Sequence, residues 1–90
     1  MSDARKTIEK IGGWNYRVFR RVDEYGDEEY SLRETYYNEE TEEVILWTEQ
    51  AQPAYGESLE GLREVLNYML LALDKPVIDE QEQLAKYEQV

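Results

Sequence analysis

The chain has 90 residues and carries 21 acidic side chains against 10 basic ones, which gives a net charge of −11 at pH 7. It contains neither cysteine nor histidine, so disulfide bonds, thiolate nucleophiles, imidazole proton transfer and the commonest metal ligands are excluded. The acidic balance argues against direct binding of nucleic-acid phosphate or of an anionic membrane surface, because both depend on cationic side chains. We therefore expect a non-enzymatic protein without cofactor or metal, whose partner is another protein.

The length is that of a single domain with one core. We expect a flexible N-terminal tail over residues 1–13, one domain over residues 14–78, and a polar C-terminal tail or short helix over residues 79–90. The N-terminus lacks the apolar run of a signal peptide, and no apolar stretch of the sequence is long enough to cross a bilayer. These features predict a cytoplasmic protein.

The first predicted strand begins at Trp14, where apolar and polar residues start to alternate. Trp14, Tyr16 and Val18 fall on one face, whereas Phe19 and Arg21 fall on the other. Alternation with a period of two is typical of a strand that has one face buried.

An acidic turn follows this strand, and its Gly26 can adopt the positive φ that a three-residue hairpin loop requires. Pairing across residues 25–27 would place Val22 beside Tyr30 and bring the apolar sets of both strands onto one face. The second strand is then predicted over residues 29–37.

After a second acidic turn, residues 44–48 are predicted to form the third strand. Two registers remain open, because a change of one residue in the turn reverses the two faces of the strand. Either Ile45 and Trp47 or Val44 and Leu46 would face the core.

A helix is predicted to begin after Ser58, which is a favourable N-cap residue, and to end at Asp74 before Pro76. Its apolar residues recur at spacings of three and four, which indicates one stripe packed against the sheet. The stripe consists of Leu59, Leu62, Leu66, Met69, Leu70 and Leu73. The sequence thus predicts an α+β fold of βββα order, a three-stranded antiparallel meander with one C-terminal amphipathic helix on one face.

The sheet face away from this helix is predicted to be open. An uncovered face with several large apolar side chains usually marks an interface. The candidate partner-binding residues on this face are Phe19, Tyr37, Val44, Leu46 and Trp47. We expect the chain to form a homodimer through this face or through a sheet edge.

A second candidate surface is acidic. Rows of carboxylates can imitate a phosphate backbone and occupy the groove of a basic nucleic-acid-binding protein, which would make the chain an inhibitor. The same acidity equally fits a role in solubility alone. The candidate residues are Asp23, Glu24, Asp27, Glu28, Glu39, Glu40, Glu42 and Glu43.

Several segments carry a family resemblance. The run Trp-Asn-Tyr-Arg-Val at residues 14–18, the pair Tyr36-Tyr37, Trp-Thr-Glu at residues 47–49, and Gly-Glu-Ser-Leu-Glu at residues 56–60 resemble a family of small bacterial, cyanobacterial and phage proteins with no assigned activity. The resemblance covers residues 14–79.

The order of three strands, the Gly-Glu-Ser-Leu-Glu segment and an amphipathic helix is also similar to the N-terminal half-RNase-H-like unit of HicB-type antitoxins. These proteins sequester a basic, RNA-binding toxin, so the resemblance implies a basic protein partner. Residues 79–90 are acidic and short, and they depart from the DNA-binding C-terminal segment of that family. The resemblance therefore does not extend to autoregulation by DNA binding.

Overall fold

The computed structural model describes residues 11–88 and has an α+β fold, as the sequence predicts. Within these residues it contains four strands and two helices, rather than the three strands and one helix expected. The elements are β1 (Ile11–Val22), β2 (Glu28–Asn38), β3 (Val44–Trp47), α1 (Leu59–Leu71), a 3-10 turn (Ala72–Asp74), β4 (Ile78–Asp79) and α2 (Glu80–Glu88). The predicted tail over residues 1–13 overlaps β1 at its end, and residues 1–10 lie outside the described residues.

The sheet has the strand order β3-β2-β1-β4. The first three strands form the predicted antiparallel meander, whereas β4 pairs parallel to β1 through Phe19 with Ile78 and Arg20 with Asp79. The sheet is therefore mixed. A strand of only two residues has no periodicity, so the sequence pattern did not reveal β4.

The first hairpin closes on a loop of residues 24–26, one residue earlier than predicted. Gly26 is the last residue of this loop and has a φ of +87°, the left-handed conformation that ends a three-residue hairpin loop. As a result, Val22 pairs with Glu28 and not with Tyr30. The register moves by two residues, so every side chain keeps its predicted face.

The β2–β3 pairing contains a bulge, which the two predicted registers did not include. Ile45 is the extra residue in β3, so Val44 and Trp47 lie on one face of the sheet and Leu46 lies on the other. The observed pairs are Thr35 with Trp47, Tyr36 with Leu46, and Tyr37 with Val44.

The two faces of the sheet carry different elements, and we name them accordingly. On the helix face, Tyr68 of α1 packs edge-on against the rings of Trp14 and Tyr16, at centroid distances of 5.5 and 5.7 Å. The opposite face, which we call the network face, includes Phe19 of β1. On this face Glu80, the first residue of α2, binds side chains of the sheet.

The N-terminus of α1 forms as the sequence predicts. The Ser58 hydroxyl accepts a hydrogen bond from the backbone N–H of Gly61 at 3.0 Å. Gly56 packs directly on the helix, because a Cβ placed there would lie 2.3 Å from the backbone nitrogen of Leu62. The helix ends at Leu71, and the 3-10 turn that follows continues to the predicted stop at Asp74.

Candidate interaction surfaces

The apolar stripe of α1 does not face the sheet as a whole. Met69 is buried and Leu62 is half-buried, but the other four leucines of the stripe are largely exposed. Their exposed fractions are 73% for Leu59, 49% for Leu66, 60% for Leu70 and 65% for Leu73. The expectation that one continuous stripe packs on the sheet is therefore wrong.

The flank of α1 that is covered is rotated away from the leucines. Gly61 and Val65 on this flank are half-buried, and Ala72 at its end is fully buried. Tyr68 also lies on this flank, and its hydroxyl donates to the backbone oxygen of Trp14 at 3.1 Å. The leucine pattern indicates which residues are apolar, but the flank that is covered is the one that carries Val65, Met69 and Ala72.

The outward flank forms a regular seam, which we call the leucine seam. It comprises Leu59, Arg63, Leu66 and Leu70 of α1 and Leu73 of the 3-10 turn that continues α1, all exposed. Their spacings of four, three, four and three residues are those of the a and d positions of a coiled coil. Arg63 is the only charged member of the seam.

The predicted open sheet face is closed at its centre. Phe19 is fully buried, and its ring stacks on Trp47 at a centroid distance of 5.4 Å. The guanidinium of Arg33, which is 3% exposed, lies 5.8 Å from the centre of the Phe19 ring. Phe19 is therefore unavailable to a partner, and its assignment to an open surface is wrong.

Glu80 closes this face through a buried ionic network. Its carboxylate accepts hydrogen bonds from Arg21 at 2.7 Å, from Arg33 at 3.1 Å and from the indole N–H of Trp47 at 3.0 Å. Burial alone would raise the pKa of Glu80, but the hydrogen bonds from Arg21 and Trp47 and the charge of Arg33 outweigh it, so that the pKa lies below its ordinary value. No sequence pattern indicates this network, because Glu80 lies in the segment that is predicted to be a polar tail or short helix.

The remaining residues of the predicted face do not form one open surface. Tyr37 is half-buried, and its hydroxyl donates to Asn15 at 2.7 Å and accepts from Arg17 at 3.1 Å. Val44 is half-buried on the same face, whereas Leu46 is 37% exposed on the helix face. The five predicted residues are thus divided between the two faces.

A cleft of about 530 Å³ lies beside β3 and the start of α2. Its walls are mostly apolar, and two of its three charged residues, Arg21 and Glu80, bind each other. The lining residues are Arg21, Ile45, Leu46, Trp47, Glu49, Glu80 and Leu84.

The candidate acidic residues form two patches at opposite ends of β2. This strand has 11 residues, which at about 3.3 Å per residue separates the two turns by roughly 36 Å. In the first turn, Asp23 accepts backbone hydrogen bonds from Tyr25 and Asp27 at 2.8 and 2.9 Å, so this carboxylate stabilises the loop. Glu24 and Asp27 in the same turn are exposed.

Glu28, at the start of β2, is exposed and belongs to an ion-pair network whose other members, Arg20 and Asp79, are half-buried. The guanidinium of Arg20 binds Glu28 and Asp79, each at 2.6 Å. The hydrogen bond and charge of Arg20 lower the pKa of Glu28. Glu28 is therefore partly neutralised, and this network joins the first turn to β4.

The second turn forms the other patch, which we call the β2–β3 turn patch. It consists of Glu39, Glu40, Glu42 and Glu43, all exposed. None of these carboxylates has an ion pair with another residue of the described range 11–88. Glu42 has a φ of +62°, which places it at the left-handed position of the turn.

No family model, curated protein or solved structure matches this chain. Within residues 11–88, no helix is long and apolar enough to span a membrane. In the same range, no three acidic side chains lie close enough together to hold a metal ion.

Proposed function

We propose that this domain is a protein-binding module that self-associates through the leucine seam of α1. The observation that carries the proposal is the exposure of four leucines along one flank of α1 and of the 3-10 turn that continues it. Single exposed leucines are ordinary on protein surfaces, but a contiguous apolar flank indicates an interaction site. Complete burial of a leucine side chain contributes roughly 1.5–3 kcal/mol, so covering this flank would strongly favour association.

The small core supports the same proposal. Among the side chains that the structure describes, the buried apolar ones are Val18, Phe19, Met69 and Ala72. A domain of this size buries only about 60% of its unfolded surface, and association is a common way to stabilise such a domain. Contact between the leucine seams of two copies would bury apolar surface that the monomer leaves exposed.

Sedimentation equilibrium of the full chain over a range of micromolar concentrations tests this proposal. The wild-type chain should show a mass above that of the monomer that increases with concentration. The variant Leu66→Ser/Leu70→Ser should remain monomeric at every concentration, because it loses the two central leucines of the seam.

Leu71→Ser is the matched control. Leu71 is 54% exposed on the same helix, next to Leu70, but it lies outside the seam. This variant should associate as the wild-type chain does, and circular dichroism should show that all three proteins remain folded. A wild-type chain that is monomeric throughout would overturn the proposal.

A second candidate function is inhibition of a basic nucleic-acid-binding protein by phosphate mimicry. The exposed carboxylates of the β2–β3 turn patch, which have no ion pair with another described residue, favour it. The resemblance to HicB-type antitoxins, which sequester a basic toxin, supports the same kind of partner. Because the two acidic turns lie far apart, a small partner would contact only one of them.

Retention of proteins from a cell lysate on the immobilised chain, at low and at high salt, tests the second candidate. The test variant replaces all four carboxylates of the patch with amides at Glu39, Glu40, Glu42 and Glu43. The control variant makes the same change in charge elsewhere on the surface, at Glu49, Glu57, Glu64 and Glu82. Retention that is lost only in the test variant and at high salt supports mimicry, whereas retention unaffected by either change contradicts it.

A further inference from the structure

We infer that two copies of the chain pair α1 with α1 in antiparallel orientation, with Arg63 of each copy beside Asp74 of the other. This inference rests on the proposed self-association and adds its geometry. It follows from the register of the seam and from the position of its only charge.

The seam fixes which residues meet. Leu59, Leu66 and Leu73 occupy one of the two heptad core positions, and Arg63 and Leu70 occupy the other. In an antiparallel pair, each layer joins one core position of the first helix to the other core position of the second. Two such registers are available, and one of them would place Arg63 opposite Leu66 in the centre of the seam. The other keeps Arg63 at the ends, and its central layers are formed by Leu66 with Leu70 of the second copy, and by the symmetric pair.

Arg63 distinguishes the two orientations. A parallel pair in register would place the two Arg63 guanidinium groups against each other within an apolar seam, which like-charge repulsion and desolvation disfavour. In the antiparallel pair, Arg63 is level with Leu73 of the second copy and beside Asp74. The orientation thus replaces a repulsive contact with an attractive one.

Both charged groups lie at the surface of the described part of the chain. Arg63 and Asp74 are exposed, and neither has an ion pair with another residue between 11 and 88. The two-fold symmetry of such a dimer would form the Arg63–Asp74 pair twice. These two pairs would flank the central leucine layers at both ends of the seam.

A charge exchange in the full-length chain tests the inference, with the dimer dissociation constant measured by sedimentation equilibrium. Arg63→Asp and Asp74→Arg should each weaken the dimer by about tenfold or more, because each places two like charges together. The double variant R63D/D74R should return to within about threefold of the wild type, since the pair is restored with its charges exchanged. Lys86→Glu makes the same change in net charge as R63D at an exposed position of α2, and it should have little effect.

Disulfide formation gives a second measurement that does not depend on charge. The chain has no cysteine, so Leu66→Cys and Leu70→Cys each introduce a single thiol. In the antiparallel pair, an equimolar mixture of the two variants should form mainly the mixed disulfide upon oxidation, because these positions face each other across the axis. A parallel pair would instead give the two homodisulfides.

The outcomes separate the inference from the proposed function. A wild-type chain that does not associate overturns both. A wild-type dimer in which R63D/D74R is no tighter than the single variants, or in which homodisulfides predominate, overturns the antiparallel pairing and leaves self-association in place. Recovery by the double variant together with the mixed disulfide supports the pairing.

Discussion

The two faces of the sheet are closed by different kinds of interaction, and the difference explains which surface is left for a partner. On the network face, the carboxylate of Glu80 binds Arg21, Arg33 and Trp47 and thereby covers Phe19. On the helix face, α1 packs on β1 through Tyr68, buries Met69 and leaves most of its leucines exposed. The network face, which is expected to be open, is covered by a polar network. Helix α1, which is expected to bury its leucines, leaves most of them exposed.

The comparison shows that polar character in the sequence does not predict exposure. Arg33 and Glu80 are among the most buried side chains of the described chain, at 3% and 6% exposure. Buried charges are tolerated when each finds a partner and further hydrogen bonds, as they do here. The four predictions that follow test the contrast between the two faces and between the two candidate surfaces, in order of decreasing effect.

Truncation of a large apolar side chain should affect stability much more on the network face than in the leucine seam. Phe19→Ala should lower the free energy of unfolding by about 3–5 kcal/mol, because it leaves a cavity beneath the ionic network. Leu70→Ala should change it by less than about 0.5 kcal/mol in the monomer, because this side chain is already 60% exposed. Urea unfolding at a concentration that keeps the chain monomeric measures both, and equal losses would contradict the contrast.

Neutralising Glu80 should destabilise the network face. Glu80→Gln leaves Arg21 and Arg33 without a carboxylate, and we expect the free energy of unfolding to fall by about 3 kcal/mol. Glu82→Gln removes the same charge from an exposed position of α2 and is the control. The urea midpoints of the two variants should differ clearly, and similar midpoints would mean that the network contributes little.

The contribution of Glu80 should also depend on pH. Its pKa is lowered in the folded chain, so the stability it supplies is fully present above the unfolded pKa of about 4.3 and is lost as the pH falls through the folded value. The stability difference between wild type and E80Q should therefore be constant near neutral pH and shrink below about pH 4.3. The effect of the other carboxylates is the same in both proteins and cancels in this difference. A stability difference that does not shrink at low pH would contradict the role of the Glu80 carboxylate in the network.

Salt should act in opposite directions on the two candidate surfaces. Two copies carrying −11 each repel one another, and screening of this repulsion should outweigh the screening of the two Arg63–Asp74 pairs and strengthen the dimer as the salt concentration rises. A basic partner held by the β2–β3 turn patch should instead dissociate, because screening weakens the attraction. Sedimentation equilibrium of the chain alone, at low and high salt, measures the first effect, and weakening by salt would argue against an apolar seam.

Some of this arrangement could be predicted because it depends on neighbours in the chain. Alternation in β1 assigned Trp14, Tyr16 and Val18 to one face and Phe19 to the other, and the structure agrees. Ser58 was identified as the N-cap because its hydroxyl binds a backbone group only three residues away. The positive φ of Gly26 was likewise predicted from the turn itself.

The candidate surface was predicted less well. The residues of the leucine seam were identified as apolar and as one stripe, but they were expected to face the sheet. Of the predicted sheet surface, Phe19 is buried, and Leu46 lies on the face opposite to Val44 and Trp47, because the extra residue at Ile45 reverses the direction of Val44. A bulge depends on the fit between two strands, which a single strand's pattern does not contain.

The sequence by itself determined the composition of each surface: the acidic turns, the alternating faces of the strands and the leucines of α1. These properties depend on residue type and on contacts within a few residues. Only the tertiary structure decided which surfaces are covered, because Glu80 reaches Arg21 from a distance of 59 residues along the chain, and the rotation of α1 depends on the residues that fit against β1. Burial results from this packing between distant segments, and the packing leaves the leucine seam exposed.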